Sequence, residues 1–359
     1  MKRNILKFFV LWLLIAIQAC SNDPDPVIPI GADGFFVVNE GAFNGSNTSI
    51  SFYDRETGVM TNNVFAAKNG RPLGDQAQSI TVFEGKAYVV VQNSAKVEVI
   101  DADDYSSITT ITTDIVSPRY FIGISSTKGY LSDWGKFGVE GSVKVIDLNT
   151  FAVTKTISTG QGANKMVLRD GKVYVTNNGG YGYDNKVSVI DTNKDEVTTT
   201  IPVGDNPNSL QFDKDGNLWV LSGGNFVYNE DFSAIDEAKS TKSTITKIGT
   251  DNKEALKLTF PILQYPGASQ LEINTAGDRL FLNYKGGVYA MSTSASTLPA
   301  TPFIDKDFYG LAVDPFNDNI IGAEKVGFSA PGTIHFYNST GTLQQSIQVG
   351  IAPNGVGFK

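Results

Sequence analysis

The chain is short of the side chains on which most catalysis and metal binding depend. It has one cysteine and one histidine in 359 residues. A single thiol excludes a disulfide framework and any multi-cysteine metal site. A single imidazole excludes zinc centres built on two or three histidines and leaves His335 as the sole residue for histidine-dependent catalysis. Charge is scarce, at 18% of residues, and its balance is acidic: 29 basic against 37 acidic residues, a net −8. With no basic run in the folded part, nucleic acid is not an expected partner. Gly-x-Ser-x-Gly, a phosphate-cradling glycine loop and His-x-x-x-His are missing as well. Most hydrolase chemistry is therefore excluded before any fold is considered.

What is present begins with an address. Residues 1–20 read MKRNILKFFVLWLLIAIQAC, with Lys2, Arg3 and Lys7 ahead of an apolar run from Phe8 to Ile17. That run suits a secretory signal better than a membrane span, which needs about 20 apolar residues. The ending Ile17-Gln18-Ala19-Cys20 resembles the lipobox of bacterial lipoproteins, in which the cysteine thiol is lipidated and becomes the new N-terminus. Cleavage would take away Lys2, Arg3 and Lys7 and leave the mature chain near −11, with no thiol except the anchored Cys20. The lipid would hold the protein on a membrane without spanning it. Ser21-Asn22-Asp23-Pro24-Asp25-Pro26 then reads as a polar, proline-broken tether. The expected organisation is a signal peptide at 1–19, lipidated Cys20 and tether at 20–33, and one folded domain at 34–359.

That domain is a repeat. Each unit reads apolar strand, turn, apolar strand, a strand ending in Ile-Asp, then a Thr-rich strand. QSITVF, AYVVVQN, KVEVIDADD and SITTIT make one copy; NKMVLR, VYVTNN, KVSVIDTNK and VTTTIPV make another. The first strands align on Ile80, Phe121, Met166, Leu210, Leu271, Leu311 and Val356, at spacings of 41, 45, 44, 61, 40 and 45. Period-two alternation and β-branched residues make these strands, and a period in this range is that of propeller blades. The chain ends in PNGVGFK, a first strand with nothing after it, and the domain begins with GFFVVNEG, a second strand with nothing before it. Joined, they complete one blade and leave no open sheet edge at the seam. The fold class is all-β: a seven-bladed β-propeller whose first blade is closed by the C-terminal strand.

The loops between second and third strands depart most from the repeat and gather aromatic residues on one face. They carry Phe43, Trp134, Phe137, Tyr181, Tyr183, Phe226, Tyr228, Tyr284 and Phe328. Rings on loops are rigid, amphipathic contact surface, and their asymmetry points to recognition of a bulky ligand or partner. Residues leading into the first strands place polar groups at the mouth of the channel: Gln78, Arg119, Tyr120, Asn164, Lys165, Asn208, Gln270, Tyr309 and Asn354. The expected ligand-binding set is Trp134, Phe137, Tyr181, Tyr183, Phe226, Tyr228, Tyr284, Arg119, Tyr120, Asn208 and Asn354. The 61-residue interval holds an insertion, 223–242, that reads as a lid, a docking arm or a disordered excursion. Loop carboxylates Glu40, Asp133, Glu140, Asp184, Glu230 and Glu324 could hold calcium or do acid–base work, but no spacing selects a pair. Asp213-Lys214-Asp215-Gly216 resembles part of a calcium loop yet lacks the distal Glu and reads as a hairpin turn. No catalytic, metal or cofactor site is expected.

FFVVNEGAFNGSNTSISFYD (35–54), VFAAKNGRPLGDQAQSI (64–80), SPRYF (117–121) and the terminal PNGVGFK carry a family likeness. They resemble Bacteroidota surface lipoprotein propellers, YncE-like proteins with a domain of unknown function, among them the cobalamin-capturing BtuG. The resemblance implies an outer-membrane, lipid-anchored protein facing the cell exterior. It also implies a non-enzymatic role in capturing a bulky nutrient for a TonB-dependent transporter, a corrinoid being the best single candidate. It carries over no individual contact residue. A protein-interaction role on the same face, and a carboxylate-dependent lyase or hydrolase, stand as alternatives.

Overall fold

The computed structural model describes residue 31 and residues 33–359; the expected signal peptide, Cys20 and nearly all of the tether lie outside the described residues. The described strands form seven antiparallel sheets. The innermost strands are Pro353–Phe358, Ala77–Phe83, Pro118–Ser125, Ala163–Arg169, Pro207–Phe212, Ser269–Ile273 and Gly310–Val313. Each carries the residue at which the repeat aligns, from Val356 round to Leu311. Each also touches the next, and the last touches the first, so the sheets are the blades of a closed seven-bladed propeller. We number them 1 to 7 from the blade that contains Pro353–Phe358.

Blade 1 is the seam. Gly34–Asn39 pairs on one side with Ser49–Asp54 and on the other with Pro353–Phe358, in the register Val37 opposite Val356. Its adjacent phenylalanines serve two cores, because successive strand residues point to opposite faces. Phe35 packs toward blade 7 with Ile321, Ile334 and Phe336, and Phe36 toward blade 2 with Ile80 and Val89. The same sandwiching runs round the ring; between blades 2 and 3 the rings of Tyr88 and Phe121 stack 3.9 Å apart. The core is thus a series of apolar wedges between blades, supplied by alternating β-branched and aromatic residues.

The Asp that ends the third strands, after Ile in three blades and after Tyr53 in blade 1, has a local cause. Asp54, Asp101, Asp147 and Asp191 each end a third strand, and each carboxylate accepts two backbone N–H bonds from the turn that follows. These Asx-type turns fix the hairpins into the fourth strands. Asp213 does the same between first and second strands, accepting from the N–H groups of Asp215 and Asn217 and from Trp219 Nε1 at 3.0 Å. The segment that resembles part of a calcium loop is therefore this hairpin turn.

The repeat is broken at two places. Blade 6 has three strands, and its fourth position is taken by a proline-bearing segment that touches the sheet through a single bridge, Val288 to Ile304. Pro299 and Pro302 cannot donate to a ladder, which accounts for the missing strand. Between blades 1 and 2 the chain forms one short helix, Val64–Asn69, whose Val64 and Phe65 are buried.

Candidate functional site

The inner strands are tied together by side chains reaching to the backbone of the next blade. Ser79 Oγ donates to the carbonyl of Arg119 at 2.7 Å, Asn208 Nδ2 to Ala268 at 2.8 Å, Gln270 Nε2 to Tyr309 at 2.9 Å and Asn354 Nδ2 to Ala77 at 3.0 Å. Asn208 and Asn354, expected to contact ligand, thus spend their amide N–H groups holding neighbouring blades. Inner strands cannot hydrogen-bond each other as a ladder does, so these amides replace the ladder.

Above them a polar network caps the channel. Tyr309 Oη donates to Glu40 Oε2 at 2.5 Å, and Gln76 Nε2 donates to Glu40 Oε1 at 3.2 Å. Burial, reinforced by Glu40, pushes the Tyr309 phenol well above its ordinary value. Arg119 donates to Gln92 Oε1 and lies 3.9 Å over the ring of Trp134. Burial lowers the Arg119 pKa, and the Arg119 Nε and Trp134 Nε1 atoms are buried with no hydrogen-bond partner among the described residues.

Inside the channel a cavity of about 340 Å³ is lined in part by Tyr120, Lys165, Gln211, Gln270 and Glu272. Lys165 Nζ and Glu272 Oε1 are 3.4 Å apart, joining blades 4 and 6, and Gln211 Nε2 donates to Glu272 at 3.1 Å. Burial raises the Glu272 carboxyl while Lys165 pulls it back. Removing the cation leaves a carboxylate in a confined site, a costly arrangement. Lys165→Met is expected to cost about 2–3 kcal/mol at pH 7, below the fully buried range because some solvent reaches the pair. Because the folded carboxyl titrates above its unfolded value, this loss shrinks as pH falls through the raised value. Urea denaturation at pH 7 and pH 4.5 checks the sign; an equal loss at both would contradict it.

The loop-face aromatics divide into two groups. Over blades 3 and 4, Tyr181 meets Trp134 edge-on at 5.6 Å and Phe137 at 6.2 Å, with Phe137 81% exposed. Gly162 and Gly180 pack back to back beneath them, and a side chain on either would collide with the other's backbone. A cavity of about 220 Å³ opens there, lined by Trp134, Phe137, Val139 and Tyr181. Tyr183 stands apart, donating to Asp205 at 2.6 Å, a bond that pushes its phenol up to about 12.

The second group surrounds the insertion, which is a folded arm. The backbone N–H groups of Asp236 and Thr241 donate to Val227 and Asn225, and Tyr228 bridges to Ile235. Phe226 packs edge-on against Tyr265 at 5.5 Å, and Phe232 at the tip is 79% exposed.

Beside the arm, between blades 6 and 7, lies a cavity of about 730 Å³. Its walls include Tyr265, Tyr284, Phe308 and Tyr309 together with Lys285, Lys306, Lys325, Asp307 and Glu324. Gln270 lines both this cavity and the channel, so the two adjoin. Tyr284 is only 6% exposed, packed on Phe260 at 4.5 Å while its hydroxyl accepts from the Ile262 N–H. The lysines and Tyr265 were missed from sequence because isolated residues far apart in the chain form no pattern.

The carboxylates weighed for catalysis divide sharply. Asp133 accepts from the N–H groups of Val116, Ser117 and Gly135, and Asp184 from Gln161 and Asn185. Glu324 is bonded by Lys306 and His335, at 2.8 Å and 2.7 Å, and both lower its pKa, Lys306 the more. His335 also meets Ser346 Oγ at 2.8 Å and is buried in blade 7. Glu140 and Glu230 are exposed loop residues. No group of three or more His, Cys, Asp or Glu residues suited to a metal ion occurs among the described residues.

Fold and face together define a seven-bladed β-propeller with a cavity-bearing, aromatic loop face. The chain belongs to the family described as domain of unknown function DUF5074, whose model matches residues 33–352. No curated protein matches it. Among solved structures it is similar to a quinoprotein alcohol dehydrogenase-like protein from Bacteroides thetaiotaomicron, with 16% identity, a TM-score of 0.66 and coverage of 92% of this chain and 79% of that one. It is also similar to a Lactobacillus plantarum protein at 12% identity and TM-score 0.65, covering 91% and 99%. The hydrazine synthase of Kuenenia stuttgartiensis gives 16% identity and TM-score 0.60, covering 80% and 93%. At such identities the likeness is one of fold.

Proposed function

We propose that the chain is a non-enzymatic binding protein that holds a bulky nutrient on its loop face, presented from the outer membrane by lipid on Cys20 to a TonB-dependent transporter. The observation that carries this reading is the cavity of about 730 Å³ between blades 6 and 7, where four aromatic rings and several polar side chains converge. Binding sites are concave, partly apolar and furnished with a few oriented polar groups. Four of the six loop carboxylates are meanwhile engaged in hydrogen bonds that shape the loops or pin neighbouring side chains, which supports binding over turnover.

A corrinoid is the ligand we favour, on the family resemblance of residues 35–54, 64–80 and 117–121. Its macrocycle would rest on the rings of Tyr265 and Tyr309, with its side amides at Gln270 and the channel mouth. Calorimetric titration of the purified protein with cobalamin and cobinamide is expected to give saturable heat, with red colour co-eluting on gel filtration. Neither signal with either compound would overturn the corrinoid assignment.

A protein-interaction role on the same face is the second reading, favoured by the exposed Phe137 and Phe232. It predicts a stable partner captured from membranes without ligand.

A further inference from the structure

The charge in the blade 6–7 cavity differs from that of the protein around it. A chain of net −8 places three lysines, Lys285, Lys306 and Lys325, on the walls of one cavity against two carboxylates. They come from three separate segments: the turn after Arg279–Tyr284, the approach to Gly310–Val313, and the loop after Ile320–Glu324. Glu324 is already bonded by both Lys306 and His335. Among the described residues neither Lys285 nor Lys325 has a carboxylate oxygen within ion-pair distance.

Lys325 is held in an unusual way. Its Nζ lies 3.7 Å from the ring centre of Tyr309 and 4.3 Å from that of Phe328. No side chain or backbone acceptor among the described residues takes a hydrogen bond from it. Ring faces attract a cation but accept none of its N–H bonds in the ordinary sense, so its three donors stay available. Partial burial moreover lowers the Lys325 pKa, outweighing the opposing pull of the Glu40 carboxylate. Such a charge gains most from an anion that brings its own acceptors.

We propose that this cavity takes an organic anion, a phosphate ester or carboxylate on a planar apolar body, with Lys325 and Lys306 meeting the anionic group and Tyr265 and Tyr309 flanking the body. The inference rests on the reading of the loop face as a binding surface, and it names the chemistry selected there. Lys285, exposed at the rim, adds attraction over a longer range.

The test uses the purified full-length protein, with 2-naphthyl phosphate and its neutral counterpart 2-naphthol as probes. Fluorescence titration is expected to show the phosphate binding roughly tenfold or more tightly than the naphthol, as charge-assisted bonds imply. Lys325→Met should remove most of that difference while naphthol binding stays unchanged, and Lys325→Arg should restore part of it. Circular dichroism of each variant establishes that the propeller is intact. Should Lys325→Met fail to fold, Lys285→Gln at the exposed rim and the salt dependence of binding carry the same test, since both should weaken only the phosphate. Equal affinities for the two probes, no binding of either, or an unchanged preference in the variants would overturn the anion inference. Saturable binding of naphthol without charge preference would do so while leaving the binding role of the face standing.

Discussion

A chain ending at Ala352 is expected to lose cooperative folding. Removing residues 353–359 takes out the inner strand of blade 1, and with it one of the two partners of Gly34–Asn39. The exposed edge would present unpaired N–H and C=O groups along a strand whose Phe35, Phe36, Val37 and Val38 are otherwise fully buried. Contacts vanish on both sides as well, since Asn354 bonds the Ala77 carbonyl of blade 2 and Phe358 packs on Phe35 at 5.9 Å. Opening the ring frees two wedge-shaped cores at once, a loss on the scale of a domain's whole stability, roughly 5–15 kcal/mol. The expected result is a broad, non-cooperative thermal transition by circular dichroism and aggregation on gel filtration. Adding a synthetic 353–359 peptide should restore part of the signal. A sharp transition within about 5 °C of the full chain would show that the seam is not what closes the fold.

Glu98→Ala is expected to be the most damaging single substitution at a polar site. The Glu98 side chain is fully buried in the third strand of blade 2, yet it meets Arg71 at 2.6 Å, Lys96 at 2.8 Å and Ser107 Oγ at 2.6 Å. Burial alone would raise its pKa, but these bonds together hold the carboxyl below its ordinary value. Alanine leaves Lys96, mostly buried, with no counter-charge and leaves Arg71 only its bond to Ser107 in blade 2. The expected cost is about 3 kcal/mol, the low end for a broken buried pair because Arg71 can turn to solvent. Because the folded pKa is lowered, the stabilisation is fully present above the unfolded glutamate value and is lost as pH falls through the folded one. The gap between wild type and Glu98→Gln, measured by chemical denaturation, should hold steady from pH 7 to about pH 5 and narrow as pH falls below the unfolded glutamate value of about 4.3. A gap that widens on acidification below the unfolded glutamate value would contradict this assignment.

Much of the architecture was legible because repeats make their own comparison. Each first-strand residue, from Ile80 to Val356, sits on an inner strand, and the incomplete ends meet in blade 1. The Ile-Asp signature was visible, but its reason was not: an Asp that caps a turn cannot be told from a surface Asp until the N–H groups facing it are placed. The site was legible only as a face. Trp134, Phe137 and Tyr181 do come together, as loop rings on one side of the disc. Tyr284 has the same sequence context yet is packed on Phe260, because a two-residue turn leaves it at the end of its strand, inside the sheet. Asn208 and Asn354 look like free amides in the chain, and the adjacent blade takes them up.

The sequence by itself determined the number of blades, their order, the seam and the face on which long loops gather. Period, alternation and turn chemistry are local properties, and a closed ring of near-identical units multiplies each of them sevenfold. Only the tertiary structure decided which charges meet. Lys165 and Glu272 are paired across blades 4 and 6, and Lys285, Lys306 and Lys325 converge on one cavity. Closing the ring sets those distances, and electrostatic partnership depends on distance in space, to which separation along the chain gives no guide. The scarcity of histidine and cysteine narrowed the chemistry expected of the chain, and the convergence of three lysines on one cavity is the observation behind the proposed anion.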